Sequence, residues 1–119
     1  LPSGGWVMFE TTQAMTTIDV NSGNHDAPAR AVNLEAAQII ARQIRLRGLG
    51  GLIAIDFIDM TEGTDSETVL QALDEGFTGD KQPVRIGPMS EFSVVEMTRR
   101  RGGMTLAQSL QQIRPAVDE

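Results

Sequence analysis

The sequence predicts a single α+β or α/β domain, in which helices pack on one mixed β-sheet. Short apolar strand patterns alternate with longer helical patterns, in an order of roughly ββαβαββα. The chain has 119 residues, of which 40% are hydrophobic, so it is long enough and apolar enough to build one core. We find no internal repeat and no interdomain linker, and we therefore expect one domain over residues 1–119.

The first two strands are predicted to form a hairpin. Residues 6–10 and 14–20 have strand patterns, and only three residues separate them. A connection this short favours an antiparallel pair. A polar loop rich in turn-forming residues follows at residues 21–28.

Two helices are predicted next. Residues 30–47 place Leu34, Ala37, Ala41 and Ile44 on one stripe, and the glycines that begin at position 48 end this helix. The second predicted helix covers residues 65–75: Asp65 can cap its start, and the glycine at position 76 ends it.

The remaining elements are predicted from apolar runs. Residues 52–58 are nearly all apolar, which is typical of a central strand covered on both faces. Residues 84–86 and 93–97 are strand candidates, and residues 105–113 form a final helical pattern. We expect the basic run at residues 99–101 to be a solvated end of an element.

Composition limits the classes of function. The formal net charge is −6, and an acidic surface disfavours a freestanding nucleic-acid binder, although it does not exclude a catalytic module whose basic surface lies on neighbouring domains. The chain has no cysteine, which excludes disulfides and thiolate zinc sites and fits a cytoplasmic protein. No apolar run is long enough to span a membrane. The start lacks both a signal peptide and a methionine, so we expect a piece of a longer protein.

Acidic residues at the ends of two apolar strands are the best clue to function. Asp19 and Asn21 share one face of the second strand because side chains alternate along a strand, and Asp56 ends a later strand. If the two strands are neighbours, two carboxylates and an amide converge, a donor set that suits Mg²⁺ and phosphodiester hydrolysis. The alternative is that both aspartates cap loops or accept backbone hydrogen bonds.

At these residues the chain resembles the ribonuclease E/G family, specifically its deoxyribonuclease I-like catalytic subdomain. The matching stretches cover most of the chain in the right order, and the longest runs from residue 49 to residue 60. The others are residues 1–5, 17–22, 33–37 and 41–47, with a weaker match at 91–99.

The resemblance implies an Mg²⁺-dependent endoribonuclease that cuts single-stranded RNA, with Mn²⁺ as a possible substitute. It leaves 5′-phosphate and 3′-hydroxyl ends and acts in RNA decay and ribosomal RNA processing. By this resemblance, Asp19 and Asp56 are metal ligands and Asn21 is their catalytic neighbour. Arg85 matches an arginine that contacts RNA phosphate. Other domains of a parent chain and a homo-oligomer are the further partners it implies.

Several features depart from the family pattern or stay open. The arginine common before Phe92 is Glu91 here, and residues 62–80 are acidic where the family is usually basic. Asp59 could cap a turn, or it could hydrogen-bond to the groups that hold the metal and orient them. The role of His25, a lone histidine in a polar loop, is left open. The rival hypothesis is a non-catalytic scaffold or subunit-assembly module with a vestigial metal site.

Overall fold

The computed structural model describes residues 1–23, 27–61 and 63–101. Five strands and two helices follow one another in these ranges. Their bounds are β1 Trp6–Thr11, β2 Met15–Asn21, α1 Ala29–Arg47, β3 Gly51–Asp56, α2 Gly63–Glu75, β4 Val84–Met89 and β5 Val94–Arg99. The predicted fold class is confirmed, while the helical pattern at residues 105–113 and the loop residue His25 lie outside the described residues.

The strands form one mixed sheet in the order β1-β2-β3-β5-β4. The pairs β1/β2, β3/β5 and β4/β5 are antiparallel, and β2 runs parallel to β3. The predicted β1–β2 hairpin is confirmed. Its turn is closed by the Thr12 hydroxyl oxygen, which accepts hydrogen bonds from the backbone N–H groups of Ala14 and Met15.

Helix α1 makes the crossover between the two parallel strands, as parallel pairing requires. Its buried stripe is broader than predicted: Ala37, Ala41 and Ile44 are buried as expected, but Leu34 is only half-buried. The stripe also contains one polar residue, Asn33, which is completely buried. Gly48 ends the helix in the left-handed conformation, with φ 66°, and its N–H bonds the carbonyls of Ile44 and Arg45.

The two helices cover one face of the sheet and leave the other face open. On the covered side, Ile18, Ile53, Ile55 and Val95 are at most 1% exposed. On the open side, Leu52 is 41% exposed although it belongs to the central strand β3. The prediction that β3 is covered on both faces was therefore wrong, because α1 and α2 both contribute to the same core.

A buried ion pair joins the end of β5 to the segment between α2 and β4. The Arg99 guanidinium donates from Nε and Nη2 to the two carboxylate oxygens of Asp80, at 2.9 and 3.0 Å. Its Nη1 donates to the Leu49 carbonyl at 2.8 Å. The expectation of a solvated basic run was thus wrong for Arg99, since its side chain has satisfied partners inside the fold.

Neither described helix could cross a lipid bilayer, since neither is long and apolar enough.

Candidate active site

Asp19 and Asp56 are direct register partners on the parallel strands β2 and β3. Both side chains stand on the open face, because Ile18, Val20 and Ile55 beside them point into the core. Neighbouring strands are about 4.8 Å apart, so the two carboxylates lie side by side at the carboxyl ends of their strands. The two aspartates therefore meet as the sequence predicted, although they are 37 positions apart in the chain (56 − 19).

The surroundings of Asp56 oppose its ionisation. Partial burial raises the pKa of its carboxyl, and the negative charges of Asp19 and Asp59 raise it further. Among the hydrogen bonds of the described residues, none is accepted by the carboxylate of Asp19 or Asp56. The interpretation in which both serve as caps or backbone acceptors therefore has no support from the described residues.

Asn21 lies two residues beyond Asp19 on the same face of β2, as predicted. Its amide Nδ2 is buried and has no hydrogen-bond partner within the described part of the chain. A buried polar atom without a partner costs free energy that the fold itself does not repay. The backbone of Asn21 is held closely by Gly5, where an added Cβ would collide with the Asn21 carbonyl oxygen.

Asp59 follows the strand and is exposed. It is close enough to raise the pKa of Asp56, so its charge reaches the carboxylate pair. Arg85 also stands on the open face, but at the other end of the strands. It pairs with Thr98, which pairs with Leu52, four positions before Asp56. That offset is about 13 Å along the strands and about 10 Å across them, so Arg85 is not part of the aspartate pair.

Sequence reasoning missed Asn33, which holds the segment that carries Asp56 and Asp59. Its side-chain Nδ2 donates to the Ile58 carbonyl at 2.8 Å, and its Oδ1 accepts from the Ile58 N–H at 3.0 Å. These two bonds tie the chain after β3 to α1. The available signal was the polar side chain at a position that falls on the buried stripe of the helix.

The side chains at this site offer few ligands for a metal ion. No group of three or more His, Cys, Asp or Glu side chains in the described ranges is arranged to hold a metal. Mg²⁺ does not need such a cage, because it is commonly bound through one or two carboxylates, several waters and substrate phosphates. Two adjacent carboxylates that accept no hydrogen bond from the described residues fit that requirement. The unpartnered Nδ2 of Asn21 is a donor, so it suits a phosphate oxygen or a water beside the ion and not the ion itself.

Comparison with known proteins identifies relatives. The family model described as the ribonuclease E/G family matches residues 1–102. Ribonuclease E of Escherichia coli is 43% identical over an alignment 121 positions long, which covers 97% of this chain and 11% of that protein. Ribonuclease E of Buchnera aphidicola has the same identity over 97% of this chain and 12% of its own length.

Ribonuclease G of Escherichia coli is 43% identical over an alignment 107 positions long, which covers 85% of this chain and 22% of that protein. The chain thus spans about a tenth to a fifth of the curated relatives it matches. Because the family model matches most of the chain, this chain belongs to the ribonuclease E/G family.

Proposed function

We propose that this chain is the catalytic part of a larger Mg²⁺-dependent endoribonuclease. The reaction is hydrolysis of phosphodiester bonds in single-stranded RNA, leaving 5′-phosphate and 3′-hydroxyl ends, during RNA decay and ribosomal RNA processing. The observation that carries the proposal is the register pairing of Asp19 with Asp56, on an open sheet face where neither carboxylate accepts a hydrogen bond from the described residues.

We assign each residue near the pair a role that its position supports. Asp19 and Asp56 would hold Mg²⁺, or Mn²⁺ in its place, since the ion removes the repulsion that opposes ionisation of Asp56. When bound, the ion would neutralise charge on a phosphoryl oxygen and lower the pKa of a water molecule. Asn21 would orient the phosphate or a water with its amide. Asp59, whose charge reaches Asp56, would accept a hydrogen bond from a water beside the pair.

The relatives support the reaction class through their names, ribonuclease E and ribonuclease G. Their names do not say which step of the reaction this segment performs, since it covers only a small part of their length. We assign initial RNA capture to other domains of the parent protein, because this chain has a net charge of −6. Arg85 lies on the open face and would contact an RNA phosphate away from the aspartates.

The test measures cleavage and metal binding separately. In the complete protein, Asp19→Asn and Asp56→Asn are expected to lower the cleavage rate by at least about 100-fold, because each removes one of the two carboxylates that would hold the ion. Glu67→Gln is the matched control, since it removes one charge from the exposed face of α2. Unimpaired cleavage by either aspartate variant would refute the proposal.

The metal readout uses the 119-residue chain, whose described elements share one core. Amide NMR during an Mg²⁺ titration should show saturable changes centred on Asp19, Asn21 and Asp56. The changes should be absent in Asp56→Asn and unaltered in Glu67→Gln. A native chain without a localised response at millimolar Mg²⁺ would contradict metal binding by these residues alone.

The alternative function is an assembly module with a vestigial metal site. The observation that favours it is the apolar surface on the open face, where Trp6, Met8 and Leu52 are all exposed. Under this alternative, the chain associates with itself through that face. Sedimentation of the native chain and of Met8→Glu then shows a dimer only for the native sequence, and both aspartate variants retain the dimer.

A further inference from the structure

A hollow of about 510 Å³ lies on the open face beside the aspartate pair. Its lining comes from the β4–β5 hairpin: Gly87, Pro88, Ser90, Phe92, Val94 and Glu96. Val94 is the register partner of Asp56 on the neighbouring strand, so the hollow begins one strand away from the candidate metal ligand. A molecule bound to the aspartates could therefore extend into the hollow without leaving the sheet surface.

Phe92 is the most exposed large apolar side chain of the described residues, at 72%. The turn that presents it is well ordered by hydrogen bonds. The Ser90 hydroxyl oxygen accepts from the N–H groups of Phe92 and Val94, both at 3.2 Å. Ser93 takes a left-handed conformation, φ 63°, which costs free energy for a residue other than glycine.

The same turn is bonded to the chain next to the catalytic candidate. The Ser93 carbonyl accepts a hydrogen bond at 2.9 Å from the N–H of Phe57, the residue directly after Asp56. Phe92 and Asp56 are thus held relative to each other by backbone contacts. An exposed ring on a turn anchored in this way offers a stacking surface at a defined distance from the aspartates.

Charge decides which part of an RNA strand this hollow can accept. No arginine or lysine is among the lining residues, whereas Glu96 lines the hollow and Glu91 precedes Phe92. Both carboxylates repel phosphate, so the backbone of a strand should stay outside. A base is neutral, can stack on an aromatic ring, and can donate from an exocyclic amino group to a carboxylate.

We infer that this hollow binds one base of a single-stranded RNA, stacked on Phe92, while a neighbouring phosphate lies at Asp19 and Asp56. The inference rests on the proposed function for the presence of RNA at the aspartates. Because the Glu96 carboxylate can only accept hydrogen bonds, the hollow favours a base with an amino group, such as cytosine, over uracil.

The experiment is a double-mutant cycle between protein and RNA. Binding of a fluorescein-labelled 10-nucleotide RNA to the complete protein is measured by anisotropy with Ca²⁺ in place of Mg²⁺, so that the aspartate pair keeps a divalent ion, and a gel run after each titration checks that the strand is intact. Phe92→Ala should weaken binding by roughly 5- to 100-fold, the range for loss of one stacked base, and Phe92→Trp should restore it. Leu46→Ala is the control, because Leu46 is 68% exposed on α1, away from this face.

The RNA partner of Phe92 is found by replacing each nucleotide in turn with an abasic one. At one position the abasic change and Phe92→Ala should not add, because both remove the same stacking contact. With cytosine at that position, replacement by uracil should weaken binding to the native protein but not to Glu96→Gln. Full additivity at every position, or unchanged binding by Phe92→Ala, would overturn the inference.

The outcomes separate this inference from the proposed function. If Asp56→Asn loses cleavage and Phe92→Ala binds RNA as tightly as the native protein, the base site is refuted and the catalytic proposal stands. Normal cleavage in Asp56→Asn refutes the catalytic proposal, while the binding cycle still reports on Phe92. A change of oligomeric state in Phe92→Ala with unchanged RNA affinity would identify the hollow as a protein interface and also overturn the inference.

Discussion

Replacing Asp56 with asparagine should stabilise the fold while it removes the proposed activity. Its carboxylate stands next to that of Asp19 on a strand about 4.8 Å away. Two unit charges about 5 Å apart repel by about 0.8 kcal/mol in water and about 3 kcal/mol at an effective dielectric constant of 20. Because Asp56 is exposed, the lower end applies, and we expect the free energy of unfolding to rise by roughly 1 kcal/mol at pH 7.

The pH dependence of this gain follows from the direction of the pKa shift. The folded pKa of Asp56 is raised, so the protonated form is the one that folding favours. In the native chain, Asp56 therefore contributes fully to stability below its unfolded pKa of about 3.9. This contribution is lost as the pH rises through the higher pKa that Asp56 has in the folded chain. The free energy of unfolding of Asp56→Asn should equal that of the native chain near pH 3. Above that range the variant should become increasingly more stable than the native chain.

The assay is urea unfolding followed by circular dichroism, with thermal unfolding as a second measure. A gain of 1 kcal/mol corresponds to roughly 4 °C or more in a domain of this size. Glu67→Gln on α2 serves as the control for general relief of negative charge, and 0.5 M NaCl should shrink the gain. Millimolar Mg²⁺ should stabilise the native chain and leave Asp56→Asn unchanged. An Asp56→Asn variant no more stable than Glu67→Gln would refute the reasoning.

Three further changes test the parts that position the site. Asn33→Ala should lower the free energy of unfolding by roughly 2–4 kcal/mol in urea titrations, because the N–H and carbonyl of Ile58 lose their partners. Under conditions where the variant is folded, it should also bind Mg²⁺ more weakly. Unchanged Mg²⁺ binding would contradict a positioning role for Asn33. Arg99 holds the pKa of Asp80 below its usual range. The native chain should therefore be more stable than Asp80→Asn, with the full difference above about pH 4 and a shrinking one as the pH falls through the folded pKa of Asp80. A difference in unfolding free energy that does not change with pH would contradict this. Gly5→Ala should destabilise the fold and shift the NMR signals of Asn21, because the added Cβ collides with its carbonyl oxygen; an unshifted Asn21 would refute the contact.

Local patterns in the sequence were sufficient for the elements and for part of the site. Alternation along β2 placed Asp19 and Asn21 on one face, and this needed only the two-residue period of a strand. The end of α1 at Gly48 followed from the ability of glycine to adopt positive φ. Both features depend only on residues that are close together in the chain, so the sequence is enough to predict them.

Contacts between distant segments were decided only by the tertiary structure. The parallel register that pairs Asp19 with Asp56 depends on how α1 packs across β2 and β3, and β5 lies between β3 and β4. An apolar run cannot reveal that both helices lie on one side, so Leu52 was expected to be buried. Asn33 looked like an ordinary helix residue until its partner, the backbone of Ile58, was known. Burial and hydrogen-bond satisfaction are properties of the assembled core, and for that reason the open face and its two carboxylates became a site only in three dimensions.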